Sequence, residues 1–158
     1  MNRKILVALS VVLLAIVAMG TASAFEFPDL GSIFGGTPPD QNVTLDGETF
    51  HIPGTFKNNT NVSENGTVND YTFFNSTTYS RGFQNSTNYI NILIFDYKGA
   101  TVTDVFVNYN NGTSKTINGT KGFMYSDNVG YTFSYAKGNK VISIQSDNEN
   151  LIGPVIAK

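Results

Sequence analysis

An α+β domain, mainly an antiparallel β-sheet with one or two short helices packed on one face, is what this sequence predicts. Three observations predict it. Asp46-Gly47, Asn118-Gly119 and Lys137-Gly138-Asn139 each separate two short β-prone segments, and such dipeptides supply the positive φ angles of tight hairpin turns. The run Asn88–Tyr97 (NYINILIFDY) is apolar at alternate positions on both faces, as a central strand covered on both sides must be. Two apolar segments each follow a capping-box spacing, Thr101 with Asp104 and Ser146 with Glu149, which marks helix starts.

The elements follow in order. Arg3 and Lys4 precede the uncharged run Ile5–Met19, and Ala22-Ser23-Ala24 then offers small side chains to a signal peptidase. At about 1.5 Å per residue the run spans roughly 23 Å, short of the ~30 Å hydrocarbon core. Residues 1–24 therefore read as a secretory signal, cleaved after Ala24 or kept as an uncleaved anchor over residues 5–24. With no Cys after the run, lipid modification there is excluded. Residues 25–41 (FEFPDLGSIFGGTPPDQ) are rich in Gly and Pro and lack a period, so they read as a linker. Their Phe25, Phe27, Leu30, Ile33 and Phe34 offer the alternative of docking on the domain.

Residues 42–158 then form a single exported domain. Val43–Leu45 and Glu48–Ile52 pair across Asp46-Gly47. Residues 57–69 (KNNTNVSENGTVN) are polar throughout and read as a long exposed loop. Tyr71–Phe83 is a broken β-prone stretch. Over 101–110, Val102, Val105, Phe106 and Tyr109 fall on a helical stripe, with Asn111-Gly112 as a left-handed stop. The alternation of Val105, Val107 and Tyr109 keeps a strand open as the alternative. Lys115–Ile117, Lys121–Ser126, Gly130–Tyr135 and Lys140–Gln145 read as short strands. Leu151, Ile152, Val155 and Ile156 make a last apolar segment, kept short by Pro154. Strands followed by a capped apolar segment, twice over, raise the idea of a weak internal duplication.

Composition narrows the function classes. The first 24 residues carry two of the ten Lys/Arg and none of the twelve Asp/Glu, so residues 25–158 have a net charge of −4. A mildly acidic chain without a basic stripe is a poor nucleic-acid partner. No Cys is present, which removes disulfides, thiolate metal sites and a cysteine nucleophile.

Three stretches carry a family likeness: residues 50–56 (FHIPGTF), 116–122 (TINGTKG) and 131–135 (YTFSY). Over roughly Asn42–Ala157 the chain resembles small exported domains of uncharacterised function from methanogenic archaea. The resemblance implies a compartment and a fold type, and no catalytic residue. The exit Ile52-Pro53-Gly54 is also similar to that of PsbP-like exported domains, a likeness of fold alone.

Candidate chemistry is sparse. The one His, His51, lies on a predicted strand, and no nucleophile elbow accompanies it. Asp96 ends the most apolar strand and stands out among the carboxylates, but capping or turn formation explains such residues. Asp147–Asn150 and Asn108–Gly112 only brush calcium-loop spacing, which needs several carboxylates. No cofactor and no metal centre is expected. Tyr71, Tyr79, Tyr131 and Tyr135 sit in strands and offer an aromatic face for stacking on sugar rings, although tyrosine also suits any half-buried pleated surface.

Asparagine is more informative. Asn-x-Ser/Thr occurs at Asn42, Asn58, Asn61, Asn65, Asn75, Asn85, Asn111 and Asn118. With 18 Asn beyond residue 24 and about 19% Ser plus Thr, chance supplies roughly three or four such sites. Glycan acceptors must face solvent. We therefore expect a non-catalytic cell-surface or secreted domain that bears N-linked glycans and meets cell-envelope components. The alternative is a small-ligand or glycan-binding module using the tyrosine face. Membrane contact is expected only through an uncleaved N-terminus.

Overall fold

A computed structural model describes residues 36–71 and 74–156. The expected signal, and the linker up to residue 35, lie outside them. Gln41–Leu45 (β1) and Glu48–Ile52 (β2) pair antiparallel as predicted. Asp46 and Gly47 turn between them with φ of 46° and 77°, the left-handed pair that a two-residue hairpin demands. Ahead of β1, the backbone of Pro38 and Pro39 lies against Gly54. A Cβ there would fall 2.0 Å from the Pro38 carbonyl oxygen, so only glycine admits that approach.

The main sheet runs Lys57–Tyr71 (β3), Phe74–Gln84 (β4), Tyr89–Asp96 (β5), Thr113–Ile117 (β6), Thr120–Ser126 (β7), Tyr131–Lys137 (β8) and Lys140–Ser146 (β9). Its spatial order is β3-β4-β5-β9-β8-β7-β6, with every neighbouring pair antiparallel. Two meanders thus meet along β5–β9, and β3 and β6 are the edges. The chain is mainly antiparallel β. Its helical parts are Asp104–Val107 (α1), a 3-10 turn at Glu149–Leu151, and Ile152–Val155 (α2).

Residues 57–69 are the first correction. They form most of β3 rather than a loop. An edge strand needs only one partner for its backbone, and β4 supplies it from Lys57↔Gln84 to Tyr71↔Phe74. Polar side chains are no obstacle where water covers an edge. Register shifts between Asn59/Glu64 and Asn65/Thr67 mark the bulges that let so polar a strand bend. The first bulge is held by Ser80, whose hydroxyl donates to the Val62 carbonyl and accepts from Glu64 N–H, both at 2.9 Å.

Strand register defines two faces. Ile90, Ile92 and Ile94 of β5 stand beside Ser146, Ile144 and Ile142 of β9, and these beside Tyr131, Phe133 and Tyr135 of β8. This is the covered face. The β1–β2 hairpin lays Leu45, Phe50 and Ile52 on it, α2 adds Ile152 and Val155, and Ile156 follows just beyond the helix. An isolated bridge between Phe50 and Ile156 joins the two coverings. Ile90, Ile92, Ile94, Ile142, Ile144, Phe133 and Ile152 are fully buried, whereas Asn91, Leu93 and Phe95 are half-buried, so β5 is fully covered on one face rather than on both.

The opposite face holds smaller residues. Ser134 and Ser143 are adjacent across β8–β9 and both buried, with their hydroxyls 2.8 Å apart. Removing one partner leaves the other buried and unmatched, which costs about 1–3 kcal/mol, whereas removing both is nearly neutral. Urea denaturation of Ser134→Ala, Ser143→Ala and the double variant should therefore be non-additive, the double variant being more stable than either single one. Additive losses would contradict the pairing.

The segment 101–110 resolves towards helix, as preferred, but only for one turn. Its cap is Thr103 without a side-chain bond, not Thr101. Val107 is buried while Val105 is 82% exposed, so the β-branched run supports a short contact with β8 rather than a packed helix. The helix stops at Asn108, with a φ of −94°, rather than at the left-handed Asn111, whose φ of 53° comes three residues later. At the second segment the cap is Asn148, whose side chain accepts from Asn150 N–H at 3.1 Å. Ser146 instead donates to the Tyr89 carbonyl at 2.8 Å, tying β9 to β5.

Candidate glycan-acceptor surface

Asn42, Asn58, Asn61, Asn65, Asn111 and Asn118 are exposed, and Asn85 is half-buried. Asn75 lies on β4 opposite Asp70, with its side chain outside the described residues. Exposure arises differently at each site. Asn58, Asn61 and Asn65 ride on β3, where one flank of the backbone has no neighbouring strand among the described residues. Asn118 occupies the β6–β7 turn with a φ of 49°, followed by Gly119 at 82°. Its amide nitrogen donates to the Gly153 carbonyl at 2.7 Å, pinning that turn to α2.

Asn85 closes the β4–β5 turn. Its side-chain oxygen accepts from Thr87 N–H at 2.9 Å, Asn88 N–H at 2.8 Å and the Thr87 hydroxyl at 3.2 Å. The turn thus engages the side-chain oxygen, as an Asx turn does. Asn42 has its side-chain oxygen on the His51 ring across β1–β2.

That contact also accounts for His51. Its Nδ1 meets an amide rather than a carboxylate that could orient a base. Asp96 is 8% exposed, and Asn139 Nδ2 donates to it while Tyr97 N–H donates to the Asn139 carbonyl at 3.0 Å. It locks the start of the 97–103 connection against the β8–β9 turn. Asp147 does similar work, accepting from Tyr89 N–H and Asn88 Nδ2, both at 3.2 Å. Asn108 accepts from Gly112 N–H at 2.5 Å. Asp147 thus ties its segment to the distant start of β5, while Asn108 bonds within its own loop. Among the described residues no group of three or more His, Asp or Glu is close enough to share a metal.

The tyrosine face is the second correction. Tyr79 stands beside Ile94, Tyr131 beside Ser146 and Tyr135 beside Ile142, which puts all three on the covered face. Tyr135 is 7% exposed and belongs to the core, with Tyr79 and Tyr131 packed against it. Tyr71 is on β3 with its side chain outside the described residues. The β1–β2 hairpin and α2 occupy the place that a stacked sugar would need. No family model matches this chain, and no curated protein or solved structure is similar to it.

A charged strap escaped the sequence reading. Asp46 and Glu48, at the β1–β2 turn, face Lys137 and Lys140, at the β8–β9 turn. Lys137 Nζ donates to Glu48 Oε2 at 2.5 Å and Lys140 Nζ to the Asp46 carbonyl at 2.5 Å. Lys140 Nζ is also 2.9 Å from Asp46 Oδ2, an ion pair off the hydrogen-bonding direction, since that oxygen has no aligned donor. Lys137 lies 89 positions from Glu48 and Lys140 lies 94 from Asp46, and no local pattern links turns so distant. Beside them Glu48, Thr49, Thr120, Tyr135 and Lys137 line an open recess of about 270 Å³.

Glu48 is already paired with Lys137. Burial, and secondarily the Glu48 carboxylate, push the Tyr135 hydroxyl up to about 12, so it stays protonated at neutral pH. The sign of the linkage follows. A tyrosine whose folded value lies above its unfolded value of 10 stabilises the fold below pH 10, and this stabilisation is lost as pH rises from 10 to about 12. Tyr89 and Tyr97 are shifted the same way, chiefly by burial. Melting temperatures measured over pH 9–12 should fall more steeply for the wild type than for Tyr135→Phe. Parallel curves would contradict the burial of this hydroxyl.

Proposed function

We propose that this chain is an exported, non-catalytic α+β domain of the cell surface or the extracellular space, carrying N-linked glycans, of the kind it resembles in methanogenic archaea. Its role in this reading is structural: a compact body that presents a hydrated, sugar-bearing surface to cell-envelope neighbours. The observation that carries it is the exposure of six of the eight sequon asparagines, on a chain whose sequon number exceeds what its composition supplies. The signal-like residues 1–24 support it from the sequence side. The engaged states of His51, Asp96 and Glu48 support the non-catalytic part. The tyrosine-face alternative has no such support, because three of its four residues pack on the core.

Intact mass of protein isolated from its native host tests the reading. We expect a ladder of masses above the bare polypeptide, spaced by one glycan and collapsing after chemical deglycosylation. A single mass equal to unmodified residues 25–158, or to the unmodified full chain, would remove it.

A further inference from the structure

We propose that glycans on Asn58, Asn61, Asn65, Asn111 and Asn118 cap the two open edges of the main sheet, keeping it from pairing with a second copy of this chain. This rests on the glycan-bearing reading above and adds a function to the sugars.

The placement of the sequons carries the inference. The sheet is open, so β3 and β6 each present one flank without a strand partner among the described residues. Asn58, Asn61 and Asn65 lie on β3. Asn111 and Asn118 bracket β6, two residues before Thr113 and one after Ile117. Asn42 is on β1, an edge of the two-stranded sheet. Of the interior strands, β5, β7, β8 and β9 carry no sequon, and β4 carries one, Asn75, at its start. The free flank of β2, by contrast, meets Ile156, and β2 has none.

The edges need such protection. An unpaired strand is a template for another, and proteins blunt it with charge, proline or bulges. β3 is 15 residues long, contains no proline and has Lys57, Glu64 and Asp70 as its only charges. Its bulges break the ladder near Glu64, but pairing from Thr67 to Tyr71 is regular. β6 has a single charge, Lys115, and that lysine is paired with Glu149. The usual devices are therefore thin on both edges. A second strand must approach to within about 4.8 Å along its length. Asparagines three or four residues apart put a sugar roughly every 10–13 Å over the Asn58–Asn65 part of β3, which denies a partner strand the full length of that edge, while residues 66–71 carry no sequon asparagine.

The test uses the full chain from a host that glycosylates it, as purified, after enzymatic or chemical removal of glycans, and as a variant. The variant removes the five sequons through their third residue (Thr60→Val, Ser63→Ala, Thr67→Val, Thr113→Val, Thr120→Val), so every asparagine keeps its own bonds. Light scattering should give a monomer for the glycosylated chain. The stripped chain and the variant should at least double in mean molar mass, a dimer being the smallest edge-paired species. Adding Asn58→Lys and Asn61→Lys to the variant should lower that mass again, since edge lysines block pairing. Glycans present, but a stripped chain that stays monomeric, overturns the inference and leaves the glycan reading standing. So does glycosylation confined to Asn42, Asn75 and Asn85, or association that the lysines do not reduce. A bare intact mass overturns both.

Discussion

Phe50→Ala should cost about 3–5 kcal/mol of folding stability, read as a lower urea midpoint with little change in slope. Phe50 is 1% exposed and does more than fill space. It stands on β2, faces the main sheet, and meets Ile156 in the bridge that joins the hairpin to the C-terminal segment. The β1–β2 hairpin has no strand pairing with the main sheet, so side chains hold it there, the buried apolar set along its length and Lys137 and Lys140 at its turn. A large-to-small change at that point removes transfer free energy and leaves a cavity that a rigid sheet below cannot close. With a total stability of about 5–15 kcal/mol for a domain of this kind, the melting temperature should fall by roughly 10–20 °C. A loss under about 1 kcal/mol would mean that the hairpin is a loose arm rather than the lid of the core.

Gly122→Val is the second large effect, of about 3 kcal/mol, through overpacking rather than a void. Gly122 is a β7 residue pairing with Lys115 on the covered face. A Cβ there would lie 2.3 Å from the Ser134 carbonyl oxygen and 2.7 Å from the Phe133 ring. The first of these is backbone and cannot swing aside. Relief requires β7 to move off β8 or Phe133 to leave a site in which it is fully buried. Phe133 also stacks tilted on Tyr135 at 5.9 Å, so its displacement would disturb a second core aromatic. Thermal unfolding monitored by circular dichroism checks this, with Gly119→Ala as a comparison. Gly119 has open space around it but a φ of 82°, so that variant isolates backbone strain from packing.

Local signals carried much of this fold. Asp46-Gly47, Asn118-Gly119 and Gly138 all turn with positive φ, because two-residue chemistry decides such a turn wherever it falls. Ile90, Ile92 and Ile94 announced the core strand because both of its flanks are paired. What escaped was decided at a distance. β3 looks like a loop until β4 is beside it, since an edge strand has no hydrophobic pattern to display. The tyrosines showed a correct period of two, but periodicity cannot tell which face another segment will cover. The hairpin and α2, both distant in sequence, chose the face of Tyr79, Tyr131 and Tyr135. The candidate surface divides in the same way. The sequons are legible one by one, while their arrangement along β3 and around β6 emerges only from the strand order.

Site-resolved glycopeptide mapping of the protein from its native host tests the central claim most directly. The account predicts sugar-bearing peptides containing Asn58, Asn61 or Asn65 on one edge, and Asn111 or Asn118 on the other. Recovery of all eight sequon peptides in unmodified form, from protein collected outside the cell or at its surface, would contradict it.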